Sequence, residues 1–593
     1  MINPVPENLE AVLNSPSHLT VPRYQREYKW GTSEAGEFWE DLESYMESDE
    51  DQLFLGNFIF DVSNSPKKDT RIIDGQQRIT TIILLLIACR ELAKKINAQK
   101  IANKIQQKIC FEDSTTGDSL GSRLKASESI RSVFDELCRD EWDGTFPEKL
   151  RSGKQVKRQS NRLKPIYNYF CSKIKDYDQN SLSRLLTTLY RSYIIRIDIE
   201  NEIEAFKIFE RTNARGIDLE ASDLLKNYLF ASLGNEESEI EEAWYRITEL
   251  SDGTMLKMLK YYYVSKMGKI SKSDLYKKLK FYGKTITPNK LLESLEEFAN
   301  FYNAIRNYDS SSMKNYLEQV GLLKLIEDQE RFDEIYYSIE GLRLFKITQI
   351  YPLIAAALSC YKKSGLSEHR SNNQKIVDFF KKLENYHFIN NAVCERIGNE
   401  VENLYAEFSK KFAESDNFEI VANDLYLALK KQRANREEFV SRFTDISYQP
   451  SSIPLISYIF DRMNNFELSS GHRVKIFNAD ERVLRKSHNI EHFYPQNPSP
   501  ADNLVPLTEE QVNSIGNLLC ISFRTNSRLG NLSPSSKIER LQGDLSGEIA
   551  NLPYVRKFID EYKDYVASWD CAVIENRAVQ LSEMAYDKIW KIN

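Results

Sequence analysis

The chain is short of residues that interrupt helices, with only 22 Gly and 17 Pro in 593 positions. That scarcity excludes a collagenous, linker-rich or largely disordered protein. Together with 32 Tyr and 30 Phe it points to well-packed, largely helical units. Cysteines are few and scattered. The eight, Cys89, Cys110, Cys138, Cys171, Cys360, Cys394, Cys520 and Cys571, never form a CxxC pair. They read as buried thiols in a reducing cytosol, not as disulfides or zinc ligands. No Gly-rich Walker-type loop occurs, which excludes a conventional P-loop ATPase. The strongest apolar run, Ile79 to Cys89, is too short to cross a bilayer and reads as a buried helix. Met1 to Thr20 has no basic segment followed by an apolar core, so no signal peptide is expected and the predicted location is cytoplasmic, with no membrane partner. Excess positive charge is missing too: the formal net charge is -7 and the pI about 5.7. Any contact with nucleic acid must therefore come from local patches. The length gives three or four domains, or fewer large ones.

What is there is concentrated near the carboxyl end. Ile490-Glu491-His492-Phe493-Tyr494-Pro495 is followed by Gly516-Asn517-Leu518-Leu519 and by the stretch from Asn526 to Lys537. An acid-His pair and downstream amides supply a base and hard oxygen ligands, a set able to activate water beside a divalent cation and cut a phosphodiester. Ser487 to Phe493 is predicted as a short strand, on which Glu491 and His492 point to opposite faces. Gly516 to Ser522 reads as a turn and a second strand, Asn526 as the opening of a polar segment, and Ser535 to Leu541 as a helix with Lys537 in its first turns. Two strands and a helix around one His would make a ββα-metal core. His488 and His492, four apart, would suit zinc if they shared a helix face, but no third ligand is close and Pro495 cuts such a helix short. His18, His369, His387 and His472 have no comparable surroundings and read as structural.

A second motif lies far upstream. Val21 and Pro22 suggest extended backbone, and Glu34 to Met46 carries Phe38, Trp39, Leu42 and Tyr45 at helical spacing. Phe54 to Phe60 and Arg71 to Ile73 read as strands. Asp74-Gly75 then makes a turn, and Gln77 runs into the apolar helix. A strand, a Gly-containing turn and a helix N-terminus present free backbone N–H groups to a phosphate. Asp74 can hold a cation or a water, Gln76 and Gln77 can donate to phosphate or base, and Arg78 can clamp phosphate in a fork. The plainer alternative is a polar turn capping a helix, with Arg78 in a surface salt bridge. A third segment, Ala205 to Gly216, has Phe206 and Phe209 on an amphipathic helix that Gly216 can end, and Ser222 can cap the next helix. Its loop brings Asn213, Arg215 and backbone donors together.

Between these regions, from about Glu236 to Asn435, the sequence is predicted to be helical throughout. Two stretches are basic: Arg151, Lys154, Lys157, Arg158, Arg162 and Lys164, and the run from Lys257 to Lys284. The second holds Lys257, Lys260, Lys277, Lys278 and Lys280 among tyrosines, with Asp274 as its one acid. Such stretches suit a nucleic-acid backbone; the alternative is a solvated helix face with snorkelling lysines.

Three separated motifs, Gln25-Arg26, Asp74-Gly75-Gln76-Gln77-Arg78 and Phe209-Glu210-Arg211-Thr212-Asn213 with Gly216, resemble the N-terminal domain of GmrSD-type proteins, which are modification-dependent restriction and anti-phage nucleases. The pattern IEHxxP, then GNL, then Asn with a following Lys, resembles their C-terminal domain. The resemblance implies a mixed α+β, mostly helical chain in three parts. These are a ParB/sulfiredoxin-like domain over 1–230 whose DGQQR motif serves nucleoside triphosphate hydrolysis, a helical middle over 231–436, and a His-Me finger (HNH-like) nuclease over 437–593. It implies a nucleotide site of Gln25, Arg26, Asp74, Gly75, Gln76, Gln77, Arg78, Asn213 and Arg215 for ATP or GTP. It makes His492 the base, Asn517 a residue that orients the imidazole through its neighbours or supports the loop, and Lys537 a phosphate contact. Glu491 and Asn526 would hold Mg2+ or Mn2+. Many His-Me finger nucleases have Asp before the His and a His as last ligand, so Glu491 and Asn526 depart from that pattern. The expected substrate is DNA, most of all modified phage DNA, and a homodimer is left open. The rivals are a non-catalytic, nucleotide-sensing DNA-binding regulator with a degenerate nuclease domain, and an RNA-cutting or host-suicide nuclease.

Overall fold

A computed structural model of the chain describes residues 4–22, 25, 27–47, 52–62, 69–112, 119–149, 156–200, 221–233, 237–397, 399–468, 474–477 and 488–592. The fold is mixed α+β and mostly helical. Two compact units are present: Met1–Tyr245 with Tyr276–Leu292, and Arg246–Leu275 with Glu293–Asn593.

The first unit is built on a sheet whose strands are β1 (Pro4–Asn8), β2 (His18–Thr20), β3 (Phe54–Asp61), β4 (Asp69–Asp74), β7 (Leu124–Lys125) and β8 (Tyr193–Ile199), after a separate hairpin of β5 (Cys110–Glu112) and β6 (Ser119–Ser122). Their order is β1-β8-β3-β4-β2-β7. β8 lies antiparallel to β1 and parallel to β3, and β4 is antiparallel to β3 and parallel to β2. Runs such as FLGNFIFD and YIIRIDI are rich in the β-branched and aromatic side chains that fill a pleated surface. β4 leads into helix Gln76–Lys95 through Gly75, whose φ is +99°. That left-handed conformation favours glycine, and a Cβ there would lie 2.5 Å from the Phe58 ring. The helix is buried on almost every face, the apolar run Ile79 to Cys89 included, as expected of a helix apolar all round. It packs against helices Gln99–Ile109 and Lys157–Ile174.

The predicted strands and the 34–46 helix are present as β3, β4 and Thr32–Glu47. Ser222 is a correction: it lies inside helix Ala221–Leu233 rather than ahead of it. It is buried on the face of Leu225 and Leu229. The predicted Ala205 to Gly216 helix and loop, with Asn213 and Arg215, fall outside the described residues, as does Arg26.

Among the described residues, the second unit is helical apart from one hairpin. Helices Met255–Met267, Tyr351–Lys363 and Asn399–Glu414 pack together, and Trp590 stacks on Phe388 with ring centroids 3.9 Å apart. The hairpin pairs β9 (His488–His492) antiparallel with β10 (Leu518–Ser522), Leu518 opposite His492 and Ser522 opposite His488. Asn526 is not in an irregular segment: Ser522 caps helix Phe523–Leu529 by accepting from the Thr525 N–H, and the polar stretch winds into a helix. Helix Pro534–Gln542 follows, capped by Ser533. The cysteines are free, and six of the eight are buried. Among the described residues, no helix is long and apolar enough to cross a membrane.

Gly75→Ala is expected to destabilise the first unit by about 2–3 kcal/mol, because the methyl group meets the Phe58 ring in a backbone conformation that already disfavours it. Calorimetric melting of the full chain checks this; an unchanged midpoint would show that the turn tolerates a side chain.

Candidate active site

β9 places Glu491 and His492 on opposite faces, and each finds its own partner. His492 is 8 % exposed. Its Nε2 lies 3.0 Å from Asn513 Oδ1. A carboxamide oxygen can only accept, so Nε2 carries the proton and Nδ1 is the basic nitrogen. Gln496 Nε2 lies 3.3 Å from the same Asn513 oxygen and 3.3 Å from the ring nitrogen. The Tyr448 ring meets the imidazole edge-on at 4.7 Å. Burial, together with the Lys537 charge and against the Asn513 bond, lowers the His492 pKa to about 4, so the ring is neutral at physiological pH.

Asn513, Gln496 and Tyr448 escaped the sequence reading. Asn513 ends helix Glu509–Asn513, which opens with the capping box Thr508/Gln511, a signature readable from Thr-x-x-Gln. Its carbonyl accepts from the Tyr448 N–H at 2.8 Å, which sets that ring beside His492. Gln496 stands four residues after His492, next to the Pro495 already singled out.

Asn517 supports the loop. Its Oδ1 accepts from the Tyr494 N–H at 2.7 Å and from Trp569 Nε1 at 3.1 Å, and its Nδ2 donates to the Tyr494 and Val512 carbonyls. None of these bonds goes to His492. Gly516 beside it fits because a Cβ would lie 2.1 Å from the Ile574 carbonyl oxygen. Arg577, on the same helix Cys571–Met584, donates to the Gly516 carbonyl at 2.6 Å and to the Leu518 carbonyl at 3.0 Å.

Lys537 corrects the expected phosphate contact. It is fully buried, and its Nζ donates to the His492 carbonyl at 2.6 Å and lies 2.5 Å from Glu491 Oε1. An enclosed ammonium cannot meet a phosphate from solvent; it ties helix Pro534–Gln542 to β9. Burial pushes the Glu491 carboxyl up and the Lys537 amine down, and each opposes the other's shift.

In the first unit, the upstream motifs come together. Gln25 Nε2 donates to the Ile73 carbonyl at 2.7 Å, immediately before Asp74. Gln77 Oε1 accepts from the Lys29 and Trp30 N–H groups at 2.8 and 3.2 Å, and its Nε2 donates to the Glu27 carbonyl. Gln76 is buried beside it. Asp74 Oδ1 accepts from the Gly75 N–H, and its Oδ2 lies 3.4 Å from Arg78 Nη2. Arg78 donates to the Leu55 and Asn57 carbonyls at 2.7 and 2.9 Å and stacks on Phe58. Three of the predicted ligand-binding side chains, Gln25, Gln77 and Arg78, thus brace backbone. Gly75, the N-cap of helix Gln76–Lys95, has no side chain with which to cap it. Beside the backbone that Gln77 holds is an open cavity of about 540 Å³, lined by Lys29, Trp30, Thr32, Arg158 and Arg162 among others.

Comparison with known families matches both ends. Residues 9–230 match the GmrSD restriction endonuclease N-terminal domain, and residues 434–584 match the GmrSD restriction endonuclease C-terminal domain. The chain belongs to the GmrSD restriction endonuclease family. No curated relative matches it. As a member of that family, this GmrSD-type chain is a nuclease with DNA as its substrate.

Whether its residues fit a cation was tested on the donors present. Among the described residues no group of three or more His, Cys, Asp or Glu is placed to hold a metal ion. His488 and His492 lie on a strand, where four residues span about 13 Å, too far for one zinc. Two oxygen donors do fit. Asn526 Oδ1 is buried without a hydrogen-bond partner, and the Glu491 carboxylate, whose Oε1 is taken by Lys537 Nζ at 2.5 Å, has its second oxygen to offer. The helix of Asn526 packs on β9. Two oxygens suit a hard cation that keeps most of its water.

The lysines predicted to bind DNA divide between the two units. Lys260 pairs with Glu402 at 3.0 Å, and Lys257 donates to Thr348 Oγ1. Lys277 and Lys278 are exposed, and Lys280 lies over the Tyr228 and Tyr276 rings.

Lys537→Met in the GmrSD-type chain is expected to cost about 3–5 kcal/mol, because it strands the buried Glu491 carboxylate. Glu491→Gln with Lys537→Met should recover most of that loss, as read by urea unfolding; a double variant no better than the single would mean the pair is uncoupled. Stability should also fall as pH drops from about 6.5 towards 4. The buried imidazoles of His387 and His492 both titrate near 4 when folded, so in that window the unfolded chain binds more protons than the folded one. Melting temperature against pH checks this, and the slope should be shallower in His387→Gln; equal slopes would reject it.

Proposed function

We propose that this GmrSD-type chain is a nucleotide-regulated, metal-dependent endonuclease of bacterial anti-phage defence that acts on modified phage DNA. The observation that carries the reading is the state of His492: neutral, one ring nitrogen bonded to Asn513, the other without a hydrogen bond among the described residues. In this reading Nδ1 takes the proton of a water as its oxygen attacks phosphorus, the P–O bond to one deoxyribose breaks, and the leaving oxygen takes a proton from solvent. Asn513 Oδ1 holds the N–H of the other nitrogen and stabilises the positive ring that forms. Tyr448 fixes the ring plane, and Gln496 donates to Asn513 Oδ1 and so holds that oxygen in place. Glu491 and Asn526 would hold Mg2+ or Mn2+, whose chemistry there is to neutralise charge on the phosphate. Lys537 keeps the His492 backbone in place from behind. The hairpin β9–β10 with the two helices after it supports a His-Me finger nuclease, and the sheet of the first unit supports a ParB-like domain.

The nucleoside triphosphate, ATP or GTP, belongs at the first turn of helix Gln76–Lys95, where the positive end of the helix dipole favours an anion. Lys29, Arg158 and Arg162 would meet its phosphates and Trp30 its base, with Gln77 holding the Lys29 and Trp30 backbone. Asp74, Gly75 and Arg78 then act by shaping the turn.

The test is cleavage of modified and unmodified phage DNA by the full chain with Mg2+, with and without nucleotide, alongside nucleotide turnover. His492→Ala should reduce cleavage by at least about a hundredfold and leave turnover measurable, whereas Asp74→Ala should reduce turnover. A His492→Ala chain that nicks at the wild-type rate would remove the base, and a wild-type chain that cuts no DNA would favour the nucleotide-sensing DNA-binding regulator.

A further inference from the structure

Helix Leu275–Ile286 lies outside both stretches matched to the family. In a chain of net charge -7 it carries Lys277, Lys278, Lys280 and Lys284 and no acid. Its two faces differ in kind. Leu279 is fully buried, and Gly283 is so close to its neighbours that a Cβ would lie 2.6 Å from Leu291 and 3.2 Å from Tyr228. Lys280 lays its stem along that seam, its ammonium over the Tyr228 ring. On the other side Lys277, Lys278, Phe281, Lys284 and Thr285 are all exposed. They stand at positions i, i+1, i+4, i+7 and i+8, which form one continuous helix face. Among the described residues Lys277, Lys278 and Lys284 make no ion pair with an acid. Phe281, at the centre of that face, is 70 % exposed, more than any other aromatic side chain described.

A ring left in water among unpaired ammonium groups suits a partner that is anionic at its edge and flat and apolar within. A protein partner would need carboxylates arranged around an apolar patch to match it, whereas DNA presents both features at every base step. The phosphates of DNA flank stacked bases, and apolar side chains such as Phe wedge between base steps or stack on exposed bases.

We propose that the outer face of helix Leu275–Ile286 is a DNA-docking surface, with Lys277, Lys278 and Lys284 on phosphates and Phe281 against a base. This rests on the reading of DNA as the substrate. It adds a contact outside the nuclease and nucleotide sites. Lys260, whose charge is paired with Glu402, serves as the contrast.

The experiment is fluorescence anisotropy of the full chain with a labelled duplex in buffer free of divalent cations, across a salt series. Lys277→Gln with Lys278→Gln and Lys284→Gln is expected to reduce the salt slope of log affinity by about 2–3, at about 0.9 per phosphate contact. Lys260→Gln should leave the slope unchanged. Phe281→Ala is expected to weaken binding about tenfold with little change of slope, and Phe281→Trp should restore it. An unchanged slope in the triple variant, while wild-type protein binds and cleaves DNA, overturns this assignment and leaves the endonuclease reading intact. Wild-type protein that neither binds nor cleaves any DNA overturns both. A change in the sedimentation of DNA-free protein on Phe281→Ala would make the face a contact between copies and also overturn the proposal.

Discussion

One buried ammonium organises the nuclease end of the molecule. Lys537, reaching from helix Pro534–Gln542, holds the Glu491 carboxylate and the His492 carbonyl together. A charge taken out of water is costly unless paired and hydrogen-bonded, so helix and strand are fixed relative to each other as long as the charge persists. His492 inherits its position from that clamp. Its side chain is then set from the opposite face by Asn513, Gln496 and Tyr448, residues whose own places depend on the chain turning back through Asn517.

Asn517 and Arg577 extend the same logic outward. Each uses a polar side chain to satisfy backbone groups inside the protein, where an unpaired carbonyl or N–H would be expensive. Asn517 closes the turn after His492, and Arg577 pins the turn before β10. Gly516 lets the two elements approach to a distance no Cβ would allow. The polar residues around the site thus build a rigid seat for the His492 imidazole.

The first unit uses its conspicuous motif in a similar way. Gln25, Gln77 and Arg78 point into backbone, joining β3, β4 and the Lys29–Trp30 segment around the start of one long buried helix. The cavity beside that segment is lined by Lys29, Arg158 and Arg162, drawn together from positions more than a hundred residues apart. In the folded chain Gln25, Gln77 and Arg78, around the glycine turn, brace backbone.

The sequence by itself determined the helical character, the strand-turn-helix at Asp74-Gly75, the β9–β10 hairpin and the burial of six of the eight cysteines. All of these follow from local periodicity, turn chemistry or a motif short enough to read along the chain. Burial and partnership were not legible in that way. That Lys537 faces inward, that Asn513 rather than Asn517 meets the imidazole, that Asn526 sits on a capped helix, and that Lys260 is paired with Glu402, depend on groups brought together only by the fold. A side chain's charge is written in its identity, but its task is decided by what the folded chain places within about 3 Å of it, because hydrogen bonds and ion pairs lose their direction and strength beyond that range.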